Sequence, residues 1–445
     1  MFKTIRNAWS IPDLRRKILF TLFIIIVFRF GSVIPVPFLN SEALAGLMSD
    51  SAISGTALGY LDMLTGGAFA QATIFAMGVT PYINSSIIMQ LLTVAIRPLE
   101  RLSKEGEEGR KKIATITRYV TVVLGLIQGT AYFFWLYNSN YNGTPILLHN
   151  EGGALVFSAF IIVLAFTAGT ALMMWLGEQI NQKGIGNGIS ILLFAGIVAR
   201  LPVTFGRLWG HLQDAINNPS GFGQNFISVP LFVILFLAVI WFIVFMNDSE
   251  RRIPVQYAKR VVGRKMYGGQ SSHIPVKVSM SGVMPIIFAS SILSIPSTIQ
   301  FFLGDSLEEG SFWKGFFDAF STTGWVYGLI YFLLILMFAY FYVAIQYNPV
   351  EMANNLRQSN GTIPGVRPGK PTADFISRIL SKITLIGALF LAVVALLPII
   401  FGGVSGLSDM TLGGTSIIIL VGVALDTAKQ MESQMMMRHY KGFLE

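Results

Sequence analysis

Long apolar runs, separated by short charged or Pro/Gly-rich segments, dominate this chain of 445 residues. Most of these runs match the roughly 20 residues that a helix needs to cross a bilayer core about 30 Å thick. The pattern predicts ten spans, near residues 18–38, 72–96, 117–137, 154–176, 186–205, 228–246, 275–303, 325–346, 376–400 and 413–428. We therefore expect an all-α polytopic membrane protein with ten transmembrane helices.

The segment from Ala57 to Ile96 is apolar but does not fit one regular helix. Gly66 and Gly67 interrupt it early, and Pro81 removes a backbone donor in its middle. Polar side chains follow at positions where lipid would penalise them, at Asn84, Ser85, Ser86 and Gln90. Such segments occur where a helix faces protein or a water-filled cavity. We expect a short half-helix near residues 57–69 and then a full span that lines a path through the membrane.

The two halves of the pattern resemble each other. The second span of each group of five contains proline, at Pro81 in the first group and at Pro285 and Pro296 in the second. Matched interruptions of this kind indicate an inverted repeat whose path lies between the repeats. We expect two pseudo-symmetric halves, residues 1–210 and 211–445.

Basic residues are strongly biased to one side of the predicted spans. The chain carries a net charge of +9, with 12% charged and 53% hydrophobic residues, and its mean hydropathy is +0.62. The side that holds the amino terminus has 28 of the 32 Lys and Arg residues, and the opposite side has only Arg200, Arg207 and Lys314. This bias predicts a multi-pass topology with both termini cytosolic. Topology therefore explains most of the positive charge without nucleic acid.

Two predicted cytosolic loops, residues 248–278 and 346–372, are longer and more basic than an anchor needs. The first has two β-like arms around Gly268 and Gly269, which predicts a protruding hairpin. The second begins with a short helical stretch and ends in the turn-rich run GTIPGVRPGKP, which contains Arg367. These loops are either solvated anchors or a docking surface for an acidic or RNA-bearing partner.

Several kinds of chemistry find no support in the sequence. The chain has no cysteine, and its four histidines lack metal-ligand spacing, so we expect no metal and no cofactor. No Walker A pattern or catalytic pair lies in the spans, which argues against an intramembrane hydrolase or any other enzyme. A secondary transporter remains the main alternative to a channel. Its usual intramembrane ionisable residues are nearly absent, because Arg29, Glu178 and Asp426 lie near predicted span ends.

Several long runs resemble one known family over essentially the whole chain. They read GGAFAQATIFAMGVTPYINSSIIMQLL, EQINQKGIGNGISILLFAGIV, GVMPIIFASSI, PGVRPGKPT and LGGTSIIILVGVALD, and they are similar to the SecY family of bacterial secretion channels. The resemblance implies an hourglass channel that conducts unfolded secretory polypeptides across the cytoplasmic membrane. It also implies a lateral gate that releases membrane-protein segments into lipid.

The resemblance further implies roles for individual residues. A pore ring would consist of Ile83, Ile87, Ile189, Leu193, Ile287 and Ile419. A plug would include Tyr60, Leu61, Met63, Leu64, Thr65, Gly66 and Gly67, with the two glycines as its hinge. The lateral gate would use Thr80, Asn84, Ser86, Gln90, Ser290, Ser291 and Ser294. Docking of cytosolic partners would use Arg251, Arg252, Lys259, Arg260, Arg264, Lys265, Arg357, Arg367 and Lys370.

Partners are implied in the same way. The resemblance implies SecE and SecG as companion subunits, and the SecA ATPase or a translating ribosome as the source of energy. Signal sequences, unfolded polypeptides and membrane lipids would be its other contacts, with no direct binding of DNA. The expected location is the bacterial cytoplasmic membrane.

Overall fold

A computed structural model of the chain describes most of its length. It covers residues 2–48, 59, 62, 64–141, 143–149, 151–217, 222–257, 260–262, 265–267, 271–303, 315–317, 325–405 and 414–441.

The amino-terminal part is mainly helical and contains one very short strand pair. Its helices are α1 (Phe2–Ser10), α2 (Pro12–Gly31), α3 (Ser41–Met48), α4 (Thr80–Ala95), α5 (Arg97–Lys104), α6 (Glu107–Asn138), α7 (Gly152–Lys183) and α8 (Gly188–Asn217). Between α6 and α7, strand β1 (Asn140–Tyr141) pairs antiparallel with β2 (Thr144–Pro145).

The carboxy-terminal part combines long helices with a small sheet. Its helices are α9 (Phe222–Asp248), α10 (Met284–Leu303), α11 (Trp325–Gln346), α12 (Pro349–Gln358), α13 (Lys370–Ser405) and α14 (Gly414–Lys441). Its strands are β3 (Glu250–Tyr257), β4 (Arg260–Val262), β5 (Lys265–Tyr267), β6 (Ser271–Lys277) and β7 (Gly361–Thr362). The pairing of β3 with β6 is antiparallel, as the predicted hairpin requires. The predicted turn at Gly268 and Gly269 was wrong, because β4 pairs with β5 in the same register, with Val262 opposite Lys265, and the centre of the hairpin lies between these two residues.

A long helix overlaps each of the ten predicted spans: α2, α4, α6, α7, α8, α9, α10, α11, α13 and α14. Among the described residues, six stretches of helix are long and apolar enough to cross a membrane: Glu107–Asn138, Gly152–Lys183, Gly188–Gln213, Val229–Asp248, Trp325–Gln358 and Lys370–Leu397. The prediction of a helical multi-pass membrane protein is confirmed. The count of ten spans stays a prediction.

Two predicted helix starts were wrong. The second span was placed from residue 72 with Pro81 in its middle, whereas α4 begins at Thr80 and Pro81 lies in its first turn. Proline is tolerated there because an amide in the first turn has no acceptor within the helix. The seventh span was placed from residue 275, but β6 runs to Lys277 and α10 begins at Met284. In both cases an apolar run crosses from irregular or extended backbone into a helix, which hydropathy does not distinguish.

The long helices pack in two groups that share one apolar core. In the first group α6 contacts α4 and α7, and α7 contacts α2 and α8; in the second, α11 contacts α10 and α13, and α14 contacts α9 and α13. The groups meet where α8 packs on α9 and α14, and again where α10 packs on α4 and α6. The largest core cluster takes residues from both groups. The predicted boundary between residues 210 and 211 falls inside α8, so the division into halves stays a prediction.

Candidate functional site

Four of the six predicted ring residues meet at one narrow space in the centre of the helix bundle. Ile83 on α4, Leu193 on α8, Ile287 on α10 and Ile419 on α14 line a space of about 20 Å³ together with Leu64. Thr80, Ser290, Ser291 and Ser294 complete its lining. Each of the four ring residues is buried. Both helix groups therefore contribute to a single apolar constriction.

The other two ring candidates lie outside that space. Ile87 follows Ile83 by one turn on α4 and is buried, but it lines a neighbouring groove. Ile189 packs towards α7, where a Cβ added at Gly177 would come within 3.4 Å of its Cγ1. The i and i+4 spacing put each pair on one helix face as expected. Only the packing of α4 and α8 decides which member of each pair reaches the centre.

The short element before α4 places a leucine at the constriction. Leu64 and Thr65 are helical, and Gly66 and Gly67 follow with φ of 69° and 91°. Glycine adopts this left-handed region readily, so these two residues suit the sharp exit from the element. Three predicted plug residues, Tyr60, Leu61 and Met63, lie outside the described residues. Leu64 is therefore the predicted plug residue that lines the narrow space at the ring.

Asp62 gives this element a charged side chain, which the expectation of an apolar element near residues 57–69 does not include. Its carboxylate forms an ion pair with Arg200 on α8, and its Oδ1 accepts a hydrogen bond of 2.7 Å from the Ala70 amide. Arg29 on α2 approaches the same element, and its Nη1 donates to the Gly66 carbonyl at 3.4 Å. A carboxylate at membrane depth, with arginines in two nearby spans, is a signal that could have identified it.

A larger groove opens beside the constriction, between α4, α6 and α10. It encloses about 400 Å³ and is lined mainly by apolar side chains, including Phe69, Ile127, Tyr132 and Ile295. Five of the seven gate candidates line the groove or the narrow space: Thr80, Asn84, Ser290, Ser291 and Ser294. The groove thus lies at the seam where α10 of one group meets α4 and α6 of the other.

The remaining gate candidates, Ser86 and Gln90, line neither space. Gln90 Nε2 donates to Ser86 Oγ at 3.4 Å, one turn earlier on the same helix. On α10, Ser294 Oγ likewise donates to the Ser291 carbonyl at 2.7 Å. These bonds satisfy polar groups along each helix, which leaves the seam itself largely apolar.

The two basic loops form one unit, which we call the loop platform: residues 250–257, 271–277 and 349–372. Strand β3 lies between β6 and β7, and the pairs Gln256–Thr362 and Tyr257–Gly361 join the first loop to the second. Apolar side chains from both loops share a core, among them Ile253, Val255, Val276, Leu356 and Ile363. Sequence reasoning had treated these loops as separate.

Most of the described basic candidates point away from that core. Arg251, Arg252, Arg357, Arg367 and Lys370 are exposed. Arg252 Nε lies 2.7 Å from Glu250 Oε1, and the Thr372 hydroxyl donates to the Arg367 carbonyl at 2.8 Å. Arg260 and Lys265 lie in strands β4 and β5, whereas Lys259 and Arg264 are outside the described residues. The described part of the chain holds no group of three or more acidic or histidine side chains that could bind a metal.

Sequence comparison finds close relatives over the full length of the chain. The family profile described as SecY matches residues 73–428. The protein translocase subunit SecY of Bacillus subtilis strain 168 is 46% identical over 452 residues, with 100% of each chain covered. The protein of the same name from Halalkalibacterium halodurans is 45% identical over 448 residues, again with 100% of each chain covered.

Structure comparison finds the same architecture at low sequence identity. A structure described as a protein-conducting channel aligns with a TM-score of 0.63 and 17% identity, covering 94% of this chain and 92% of that chain. A SecY structure, whose plug domain is described as stabilising the closed state and maintaining a membrane seal, aligns with a TM-score of 0.64 and 18% identity over the same shares. Sec61 in a canine ribosome-channel complex from the endoplasmic reticulum aligns with a TM-score of 0.59 and 15% identity, again over the same shares.

The profile match covers most of the chain, and the relatives exceed 40% identity along its whole length. The structural alignments support the fold of a protein-conducting channel over that of the alternative transporter. This chain belongs to the SecY family, a family of protein-conducting channel subunits that are not enzymes.

Proposed function

We propose that this chain forms the channel through which unfolded secretory polypeptides cross the membrane. The observation that carries the proposal is the narrow space at which Ile83, Leu193, Ile287 and Ile419 meet Leu64. Four helices from both groups supply this ring, so a change in their packing would widen it. The ring is the constriction, and the element near residues 57–69 is the plug that fills it.

Apolar side chains suit a constriction through which every kind of side chain must pass. A translocating chain presents charged and apolar residues in turn, and a site that bound either strongly would stall it. A narrow apolar ring offers no such site, and it excludes ions by dewetting when it is empty. The narrow space of about 20 Å³ is only slightly larger than the roughly 10–15 Å³ that a cavity needs to hold one water molecule.

The groove between α4, α6 and α10 is the lateral gate. Its apolar lining matches the apolar side chains of a signal sequence or membrane segment, which can leave towards lipid where α10 separates from α4 and α6. Thr80, Asn84, Ser291 and Ser294 add only weak polar contacts to the seam. Interhelical hydrogen bonds in membranes contribute about 0.6 kcal/mol on average, so a seam of this kind opens at modest cost.

The loop platform is the docking surface for the partner that supplies energy, since no nucleotide-binding pattern occurs in the sequence. Its exposed arginines fit a partner that presents negative charge, for which the candidates are the SecA ATPase and the RNA of a translating ribosome. The canine neighbour is described in a ribosome-channel complex, which supports the second partner. SecE and SecG are the companion subunits. The platform and both termini lie on the cytosolic side of the bacterial cytoplasmic membrane, as the distribution of Lys and Arg indicates.

Disulfide crosslinking tests the path directly, because the chain has no cysteine of its own. Single cysteines at Ile83 and Ile287 are paired with a cysteine in a stalled secretory polypeptide, in membranes whose other translocase subunits lack cysteine. We expect crosslinks from both positions, since both line the constriction. The matched control is a cysteine at Phe160, on the exposed face of α7, which should not crosslink.

The opposite result would contradict the proposal. Absence of crosslinks from Ile83 and Ile287, together with uptake of small solutes into vesicles, would favour a secondary transporter. Equal crosslinking from Phe160 would show that the substrate lies against the outer surface of the bundle instead of inside it.

A further inference from the structure

We infer that Asp62 is a positioning residue that holds the plug closed through its ion pair with Arg200. The inference rests on the proposed function of residues 57–69 as a plug. It assigns to that element a specific electrostatic contact with α8, in addition to the apolar contact of Leu64 with the ring.

Asp62 is buried, and each of its carboxylate oxygens has a different partner. Only 5% of its side chain is exposed, against 25% for Arg200. Oδ2 contacts the Arg200 guanidinium, whereas Oδ1 accepts from the Ala70 amide. The Asp62 carbonyl also accepts from the Gly67 amide at 2.9 Å. Asp62 therefore stabilises the local turn through Oδ1 and its carbonyl oxygen, and it contacts Arg200 on α8 through Oδ2.

The element lies directly on the backbone of α8 next to the ion pair. A Cβ added at Gly196 would lie 2.4 Å from the Leu64 carbonyl oxygen, and one at Gly66 would lie 2.9 Å from the Gly196 carbonyl oxygen. Arg200 follows Gly196 by one helical turn, so both face the same side of α8. The element therefore contacts a single face of α8, through the close approach at Gly196 and through the ion pair with Arg200.

A second arginine contacts the element from another helix. Arg29 Nη1 donates to the Gly66 carbonyl, and a Cβ at Gly66 would come within 2.7 Å of the same nitrogen. Two guanidinium groups therefore face the element, and Asp62 is its only acidic residue in the stretch from Ala57 to Phe69. Loss of that one negative charge would leave the partly buried Arg200 guanidinium without its partner, which is unfavourable in a low dielectric.

The far end of the element is attached to α6. The Tyr132 hydroxyl donates to the Phe69 carbonyl at 2.9 Å, and the two rings lie 4.5 Å apart. The glycines with positive φ, Gly66 and Gly67, lie between this attachment and Asp62. Residues before the two glycines can therefore move away from the ring, and these are the residues that the ion pair holds.

An ion pair suits a contact that must both hold and release. In the closed state the Asp62 carboxylate is buried and the Arg200 guanidinium is partly buried, and the two opposite charges attract each other. When the element leaves the ring, water solvates both charges, which returns much of the free energy that their burial cost. The pair therefore biases the equilibrium towards the closed state by a limited amount, which displacement by a substrate can overcome.

The test measures ion conductance of the full-length channel with its partner subunits in planar bilayers, without substrate. Asp62→Asn keeps an oxygen for the Ala70 amide and removes the charge, and Arg200→Gln removes the other charge. We expect each variant to raise conductance severalfold. The double variant should conduct no more than either single variant, because the two residues act through one contact. Arg200→Lys, which retains the charge, should stay close to the parent.

Arg207→Gln is the matched control, since Arg207 is an exposed arginine on the same helix. It should leave conductance unchanged. A second measurement uses a single cysteine at Leu64 and a membrane-impermeant thiol reagent. The labelling rate should rise with Asp62→Asn and not with Arg207→Gln, which separates release of the plug from general loosening of the bundle.

Deletion of residues 60–67 separates the inference from the proposed function. If the deletion raises conductance and Asp62→Asn and Arg200→Gln do not, the element is a plug but the ion pair does not hold it. If the deletion also leaves conductance unchanged, the plug assignment itself is wrong, and this inference falls with it. An increase with Arg207→Gln equal to that with Arg200→Gln would likewise overturn the specific role of the pair.

Discussion

The constriction and the loop platform differ in how they hold charged side chains. At the constriction the ring is apolar, and a nearby carboxylate, Asp62, is buried against Arg200. On the platform, Arg251, Arg357 and Arg367 are exposed above a core that is itself apolar. The first region hides charge from the membrane interior, and the second presents it to water.

Mutations in these two regions should therefore have different consequences. Changes at the constriction should alter the seal of the resting channel, because ions are the species that an apolar ring excludes. Changes on the platform should alter transport driven by a partner, because exposed charge steers and orients macromolecules. Measuring both leak and export for every variant would show whether the two regions act independently.

The largest expected effect is on export. Arg367→Glu places a negative charge where we propose an acidic or RNA partner docks, and we expect export to fall by about tenfold or more. Ion conductance of the resting channel should not change. Arg101→Glu on α5, an identical change at another exposed arginine, is the control and should leave export near that of the parent. Full export by Arg367→Glu would favour the simpler interpretation of the loops as solvated anchors.

The next effect concerns the seal. Ile287→Asn puts an amide into the narrow space and should raise resting conductance severalfold, because a polar group helps water to wet an apolar constriction. Ile189→Asn should have a smaller effect, since Ile189 lies outside that space beside Gly177. Conductance in planar bilayers measures both. Equal leaks from the two variants would mean that the ring includes Ile189, as the family resemblance implied.

A moderate effect is expected from the core of the platform. Leu356→Ala removes a buried side chain that packs with residues of both loops, and comparable substitutions cost about 2–5 kcal/mol. We expect faster limited proteolysis within residues 250–277 and 349–372, and weaker export, with no increase in leak. A matching change at exposed Val350 on α12 should alter neither. A leak in Leu356→Ala would show that the platform and the constriction are coupled.

The smallest effect concerns an exposed ion pair and contrasts with Asp62. On α5, the hydrogen bond and charge of Lys104, whose Nζ lies 2.6 Å from Glu100 Oε1, lower the pKa of Glu100. A lowered pKa means that the pair stabilises above the ordinary pKa of a glutamate and is lost as pH falls through the lowered value. Because both groups are solvated, Glu100→Gln should change neither leak nor export measurably. A clear leak from Glu100→Gln would show that an exposed ion pair also affects the seal, and burial would then not explain the effect expected for Asp62.

Most of the fold could be predicted from the sequence. Apolar runs located the long helices of the described part of the chain, because a span must bury its backbone polar groups within itself and therefore needs about 20 apolar residues. The hairpin of β3 and β6 also followed from its two β-like arms, but the position of its turn did not, because the pair Val262–Lys265 places the centre of the hairpin before Gly268 and Gly269. The starts of α4 and α10 could not be predicted, since residues 66–79 carry no charged side chain and residues 275–283 carry only Lys277, so that hydropathy does not separate them from the helices that follow.

The candidate site could be predicted only in part. Ile83 and Ile87 are equivalent in the sequence, and only the position of α4 relative to α10 and α14 directs Ile83 to the constriction. Asp62 stands out in the sequence as a single carboxylate in an apolar segment, but the sequence does not indicate its partner. Its meaning depends on Arg200, which is 138 positions further along the chain.

The sequence by itself determined that this protein is a helical multi-pass membrane protein and to which family it is similar. These are properties of hydropathy, composition and motif, which act locally along the chain. Tertiary structure decided which isoleucines share a space, that two separate loops form one sheet, and that Asp62 contacts Arg200. Such contacts join residues far apart in sequence, and their free energy depends on distance and burial, which no local pattern specifies.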